Sequence, residues 1–296
     1  MDLQKIKYFV AAAQLENIHA AAAKISISAP AVSKAISALE EELGVLLFER
    51  SGRNIVLTNE GKHFLKRANE LLDLSQAIKT ELMGREASLA VTLAGREFLL
   101  NQFGMPFMDN FLEQYPKTVF ELRETSGAVA LKYLEDGVSD FTFTVQRPEG
   151  DFTVRQIAEF KLVVAAGKGH PLFARAKKGV PVPIAEVLNY DFVSPNVPLY
   201  GRTGSSASVD GWRDDRFPRK IRWKVESAAL VTSLVVKGKA LAYIPDFWLP
   251  ENNLAQIETL GCDYVCRMQV YVSAKKPERD TWKFHTMKSL GKIYSV

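Results

Sequence analysis

The chain has 296 residues, 47% of them hydrophobic, which is enough for two or three domains with sizeable cores. Its 38 basic and 34 acidic side chains leave a net charge of +4, and residues 1–85 hold 11 basic against 10 acidic. That excludes a histone-like polycation, so any nucleic-acid binding has to come from where the charges sit. Two cysteines, Cys262 and Cys266, exclude a disulfide framework. With neither a signal-peptide core nor an apolar run of the roughly 20 residues that span a membrane, the expectation is a soluble, cytoplasmic protein.

In chain order, Leu3, Ile6, Val10 and Ala13, with Phe9 beside them, make a first amphipathic helix. Glu16–Asn17 breaks it, and the alanine-rich His19 to Ile25 makes a short second helix that allows close packing. Residues 27–43 follow. Ser28 has the side chain to cap a helix, Pro30 sits in the first turn where a missing N–H costs nothing, and Gly44 ends it. Val32, Ile36, Leu39 and Leu43 form one apolar stripe. Ala29, Pro30, Ala31, Ser33, Lys34 and Ser37 leave the N-terminal half small, polar or basic, while Glu40, Glu41 and Glu42 close the other end. Such a polarity suits entry into a major groove by the N-terminal turns, although the stretch alone equally fits an amphipathic surface helix. Helix, short helix, tight turn and longer helix make helix-turn-helix grammar.

After Gly44, Val45 to Glu49 and Ile55 to Leu57 read as short strands around the turn Ser51-Gly52-Arg53-Asn54. Arg50 and Arg53 at this tip are candidates for phosphate or minor-groove contact in a winged motif; two solvated arginines on a turn fit as well. Thr58 is a candidate cap for a helix from Asn59 to about Met83, roughly 38 Å long. Phe64, Ala68, Leu71, Ser75, Ile78 and Leu82 fall at heptad spacing along it. So small a domain has little core to cover that seam, so a dimerisation helix is expected.

At this point the chain resembles the LysR-type transcriptional regulators, whose pattern is carried by AAAKISISAPAVSKAISALEEELGVLLFERSGRNIVLTNEG, residues 21–61. The family has an alanine pair, Ser-Gln-Pro-Ala-Val-Ser-Arg, Ile-x-x-Leu-Glu-x-x-Leu-Gly, Leu-Phe-x-Arg, an arginine turn and Leu-Thr-x-x-Gly. The resemblance implies DNA contacts from Pro30, Ala31, Ser33, Lys34, Arg50 and Arg53; Ser28 and Ser37, on the same helix, are further candidates. Two departures stand out. Ala29 replaces the usual glutamine, so that contact does not carry over, and Lys34 replaces arginine, so a bidentate fork becomes a point charge. Apolar contact of Ala29 and Ala31 with thymine methyls then takes a larger share of readout.

From Leu89 strands and helices alternate. LAVTL (89–93), a helix over 97–115, TVFELRE (118–124), a helix ending at Gly137, and DFTFTV (140–145) come first. FTVRQI and FKLVVAAG (160–167), YDFVSP (190–195), a helix near 206–215 and IRWKVES (221–227) follow. A helix to Gly238, ALAYIP (240–245), the strand YVCRMQVYVSAK (264–275) and a helix over 278–294 complete the series. This is α/β grammar with mostly parallel sheets. FLEQYP, VFELRE, GVSDFTFTV, LVVAAGKGHPL and ALAYIP stand where the family has its equivalents. The resemblance therefore implies two Rossmann-like subdomains like those of periplasmic solute-binding proteins, crossed near 161–165 and 264–268. The expected division is a winged helix-turn-helix domain at 1–58, a linker and dimerisation helix at 59–88, and an effector domain at 89–296. Within the last, subdomain I takes 89–163 and 266–296 and subdomain II takes 164–265.

In such sheets ligands sit at the carboxyl ends of strands beside helix N-termini, which favour anions. The candidate effector residues are Gly95, Arg96, Glu97, Thr125, Ser126, Gly127, Arg202, Thr203, Ser227 and Pro245, with a small carboxylate as the leading ligand because Arg96 adds a full charge. Arg96 as an outward-facing loop residue, Ser126 and Ser227 as plain helix caps, and GRTGSSAS (201–208) as a surface loop and not a lid all stay open on the sequence. Cys262 and Cys266 read as packed thiols, with a redox pair as the alternative. Arg213, Arg216, Arg219, Lys220, Arg222 and Lys224, interleaved with acids, read as a solvated face or a subunit contact. No catalytic set, metal-ligand spacing or cofactor motif is found, so the expectation is a regulator and not an enzyme. The expected partners are double-stranded operator DNA, a small anionic effector, and further copies of the chain as a dimer and tetramer, with RNA polymerase a further candidate. A vestigial or filled effector cleft, or a small-molecule-binding protein of another class, are the alternatives. Ala29→Gln should change the base preference of selected operator fragments, and an unchanged preference would show that this position is not read.

Overall fold

The computed structural model describes residues 1–52, 54–200, 208–276 and 281–294. The first helices are α1 (Leu3–Leu15), α2 (Ile18–Lys24) and α3 (Ala29–Leu43). Asp2 and Asn17 cap α1 and α2 by accepting from the backbone N–H groups of Gln4 and Ala20. The alanines Ala11, Ala12, Ala13, Ala21 and Ala22 are buried where the helices meet, and Phe9 packs against Phe48 and Phe64 with ring centroids 5.3 and 4.9 Å apart. A two-stranded wing follows, β1 (Phe48–Ser51) paired antiparallel with β2 (Asn54–Leu57), and then α4 (Asn59–Met83).

The wing is joined to α3 and α4 by hydrogen bonds to its backbone. Glu40 Oε1 accepts from the N–H groups of Leu47 (2.8 Å) and Phe48 (3.2 Å), so this carboxylate anchors the wing base. Thr58 caps α4 by accepting from Gly61 N (2.9 Å) and donates its hydroxyl to Leu46 O (2.7 Å). A Cβ on Gly61 would lie 2.0 Å from the Leu47 carbonyl oxygen, so a glycine is needed where α4 crosses the wing.

Along α4 the heptad seam divides. Phe64, Ala68 and Leu71 pack into the N-terminal core, Ser75 is half-buried, and Ile78 and Leu82 are exposed together with Leu74 and Met83. The exposed apolar stripe therefore starts later along the helix than the periodicity suggests, because the first half of the seam covers the chain's own core.

The second part centres on one sheet with strand order β10 (Ala242–Pro245), β6 (Phe152–Ala166), β13 (Cys266–Lys275), β5 (Phe141–Thr144), β3 (Ala90–Gly95), β4 (Val119–Glu124). β3 runs parallel to β4 and β5, whereas β13 is antiparallel to β5 and β6. β11 (Ala255–Gln256) adds to β6, and β8 (Asp191–Pro195) pairs in parallel with β9 (Lys220–Val225). The short β7 (Val182–Pro183) pairs with β12 (Thr259–Leu260). FTVRQI and FKLVVAAG, read separately in the sequence, are one strand, β6.

Covering helices are α5 (Glu97–Leu99), α6 (Met105–Gln114), α7 (Gly127–Glu135), α8 (Phe173–Lys177), α9 (Ile184–Val187), α10 (Ala228–Val236), α11 (Trp248–Glu251) and α12 (Trp282–Ile293). The expected helix over 97–115 is interrupted by a π turn at Leu100–Gly104. Pro106 has no N–H to give, so the backbone carbonyls before it cannot continue a regular ladder. The expected helix near 206–215 does not form over its described part: residues 208–215 make turns, stabilised by Asp210 and Asp214 accepting bonds from Trp212 N and Arg219 N. No helix of the described residues is long and apolar enough to cross a membrane.

Gly61→Ala tests the crossing of α4 and the wing. Alanine is a better helix former by about 1 kcal/mol, but the overlap with a backbone carbonyl costs about 2 kcal/mol or more. Urea unfolding should show the N-terminal domain destabilised, with the transition of the second part unchanged.

Candidate functional site

On α3, Val32, Ile36 and Leu39 are buried, which turns the opposite face outward. Ser28, Pro30, Ala31, Ser33, Lys34 and Ser37 are all exposed, and Ala29 is half-exposed beside them. Ser28 has the extended backbone of a cap, yet its hydroxyl makes no capping bond. Arg50 is exposed on β1. Arg53 lies outside the described residues. The arrangement is a small, weakly basic helix end flanked by a wing arginine, suited to phosphate contact and close approach to base edges.

The cleft of the second part lies between the carboxyl ends of the strands. Gly95 ends β3 and its carbonyl accepts from Thr125 N (2.9 Å), which joins two of the predicted segments. Arg96 follows, its side chain 23% exposed, with Nη1 3.4 Å from Glu124 Oε1 and Nη2 donating to the Pro198 carbonyl (3.3 Å) across the cleft. Its Nε is buried without a hydrogen-bond partner among the described residues. Ser126 caps α7 through Val129 N (3.4 Å), and Gly127 is the first residue of that helix. Ser227 stands at the cap position of α10 without a capping bond from its side chain, Glu97 is exposed at the start of α5, and Pro245 is buried on β10. Arg202 and Thr203, with most of the GRTGSSAS stretch, lie outside the described residues.

Behind Arg96 the space between the subdomains is occupied by aromatic rings that the sequence reading did not single out. Phe98 from α5 stands 6.1 Å from Phe160 of β6, 5.8 Å from Tyr200 and 6.4 Å from Trp248, all edge-on, and stacks on Phe247 at 6.4 Å. Phe160 meets Phe247 at 5.3 Å and Tyr200 meets Trp248 at 5.8 Å. Only their scatter along the chain hid them. On one flank a cavity of about 450 Å³ opens among α5 with the π turn after it, the length of α10, and α11, lined by Glu97, Asn101, Gln102, Thr232 and Trp248 among others.

Residues 3–62 match the family described as "Bacterial regulatory helix-turn-helix protein, lysR family", and residues 85–281 match the "LysR substrate binding domain". The chain belongs to the LysR family of transcriptional regulators. It is 26% identical over 306 residues to the regulator BenM of Acinetobacter baylyi, covering 100% of this chain and 97% of that one. It is 25% identical over 265 residues to BsdA of Bacillus subtilis, covering 88% and 89%. Among solved structures it resembles a full-length OxyR variant from Pseudomonas aeruginosa (TM-score 0.66, 18% identity, 99% and 94% covered). It also resembles full-length CbnR in complex with its target DNA (TM-score 0.56, 22% identity, 99% of both chains). These structures establish the fold: a helix-turn-helix domain followed by an α/β domain of two subdomains.

This LysR-type regulator departs from its own sequence pattern at Arg219. The run of basic residues around it reads as a solvated face, but the Arg219 side chain has no exposure. It binds Asp210 with two bonds (2.6 and 3.1 Å) and Asp214 with two (2.9 and 2.8 Å), over the rings of Trp212 and Phe192. The neighbours are surface pairs: Arg213 with Asp215, Arg216 with Asp263, and Lys220 and Arg222 with Asp191. Cys266 is buried, Cys262 half-buried, and neither forms a disulfide.

Burial alone would raise the Asp214 carboxyl, but hydrogen bonds from Arg219 and Ser208 outweigh it and hold the group below its ordinary 3.8. A carboxylate lowered on folding contributes stability above its unfolded value, and that contribution is lost as pH falls through the folded one. Arg219→Met should cost about 3–5 kcal/mol by leaving Asp210 buried and unpaired. Asp214→Asn should flatten the loss of stability below about pH 4. Chemical unfolding as a function of pH checks both.

Proposed function

We propose that this regulator senses a small anion, a carboxylate first of all, between its two subdomains. Arg96 is the observation that supports this: its guanidinium reaches the Pro198 carbonyl, and its buried Nε has no hydrogen-bond partner among the described residues. An anion in that place would complete the arginine's hydrogen bonding, compete with the long Glu124 contact, and lie near the N-terminus of α7. In this reading residues 1–58 read the operator, 59–88 link and pair two chains, and 89–296 form the effector domain. Subdomain I takes 89–163 with 266–296, and subdomain II takes 164–265. Two α3 helices would enter successive major grooves about 34 Å apart. Dimers would associate as tetramers and signal to RNA polymerase in the cytoplasm, with no enzymatic step.

A second reading is favoured by the aromatic cluster. Phe98, Phe160, Tyr200, Phe247 and Trp248 fill the cleft behind Arg96 and could hold the subdomains together without any small molecule.

Calorimetry of the full-length protein with a panel of small carboxylates and their amide analogues separates the two. The first reading expects one or more carboxylates to bind, the amides to fail, and Arg96→Met to lose about tenfold or more in affinity, as a charged hydrogen bond implies. Specific operator binding with no response to any of the anions would leave the filled cleft as the better account.

A further inference from the structure

The helix α4 does not stand clear of the effector domain. Lys283, in the first turn of α12, is 9% exposed, and its Nζ lies 2.7 Å from Asp73 Oδ1 on α4 and 2.9 Å from Asp140 Oδ1. The two carboxylates are not equivalent. Asp140 is fixed inside subdomain I, where its other oxygen accepts from Thr92 N (2.8 Å) and its own N–H donates to Thr92 O (2.8 Å). Asp73 is 42% exposed and belongs to the linker.

One turn before Asp73, on the same face of α4, Asn69 donates to the Asp136 carbonyl (3.0 Å), and Gln14 of α1 donates to the Gly137 carbonyl (3.1 Å). Gly137 has φ +69°, and a Cβ there would come within 2.3 Å of the Asn69 amide nitrogen, so the turn is shaped to the linker. The hydrophobic cores of the two parts share no residue. Among the described residues, hydrogen bonds from Asn69 and Gln14 and one buried ammonium join the two parts here.

An apolar contact of this kind would be part of a core, but this one is separable. If α4 leaves, Lys283 keeps Asp140 and the effector domain loses no charge balance, while Asp73, Asn69 and Gln14 pass to water. The Lys283–Asp73 pair is desolvated on the ammonium side only, so it adds little net stability, and what it fixes is the place of Asp73 against the ammonium.

We propose that Lys283 is a positioning residue for DNA reading: through Asp73 it sets the angle at which α4 leaves subdomain I, and so the direction in which α3 faces. The proposal goes beyond the effector reading and holds whether or not the cleft takes a ligand. Two dipolar spin labels test it, placed at the exposed positions Glu41 and Glu113 after substitution of both by cysteine and of Cys262 and Cys266 by serine. Labelled chains are diluted into unlabelled ones so that only distances within a chain are read. The parent should give one narrow distance, Asp73→Asn and Lys283→Met a broad distribution, and Asp73→Glu should restore the narrow one. Asp73→Asn leaves the Lys283–Asp140 pair in place, so it reports even if Lys283→Met fails to fold. In parallel, operator fragments recovered from genomic DNA are compared with versions carrying about five extra base pairs, half a helical turn, between half-sites. The preference for natural spacing should fall about fivefold or more in Asp73→Asn, the lower end of ordinary coupling between sites, with affinity for an isolated half-site unchanged. A parent-like distance distribution in Asp73→Asn, or an unaltered spacing preference, would overturn the proposal.

Discussion

The architecture of the effector domain depends on the antiparallel pairing of β6 with β13. The two strands run side by side from Phe152 opposite Lys275 to Leu162 opposite Cys266, interrupted by one irregularity between Val270 and Tyr271. β5, β3 and β4 build outward from this pair on one side, and β10 and β11 extend it on the other. Because side chains alternate faces along a strand, a slip of one residue would turn the buried side chains of the slipped strand to the wrong face. Phe160 sits on this pairing, opposite Met268, so the aromatic cluster is anchored to it.

Much of the N-terminal domain was legible because its signals are local. The spacing of Val32, Ile36 and Leu39 identifies the buried face of α3, and the six exposed positions opposite follow from it. The glycine of Leu-Thr-x-x-Gly is visible as a letter in the sequence, but its reason, a carbonyl 2.0 Å from where a side chain would start, is visible only in three dimensions. On α4 the heptad spacing is legible as letters, yet periodicity cannot say what covers a stripe. Phe64, Ala68 and Leu71 are used at home, and the exposed remainder is Leu74, Ile78 and Leu82.

The features that escaped are those assembled from distant residues. Arg219 looked like its basic neighbours because charge type carries no mark of burial; what distinguishes it is the placement of Asp210 and Asp214 around it. Over its described part, residues 208–215, the helix expected near 206–215 gave way to turns for the same reason, since those aspartates accept from Trp212 N and Arg219 N and not from a helical ladder. Lys283 and Asp73 stand 210 positions apart, and the members of the aromatic cluster are scattered in the same way. Nothing in a single sequence joins such pairs.

The double hydrogen bond to Glu40 has a consequence for how an operator can be read. One carboxylate near the end of α3 receives the N–H groups of Leu47 and Phe48, immediately before the wing. Helix α3 and the base of the wing are thus tied together by one carboxylate, within the protein. In the reading proposed above, a half-site must match the spacing of helix and wing in groove width as well as in letters. With few hydrogen bonds offered by Ala29 and Lys34, the shape of the duplex then shares the discrimination with apolar contact.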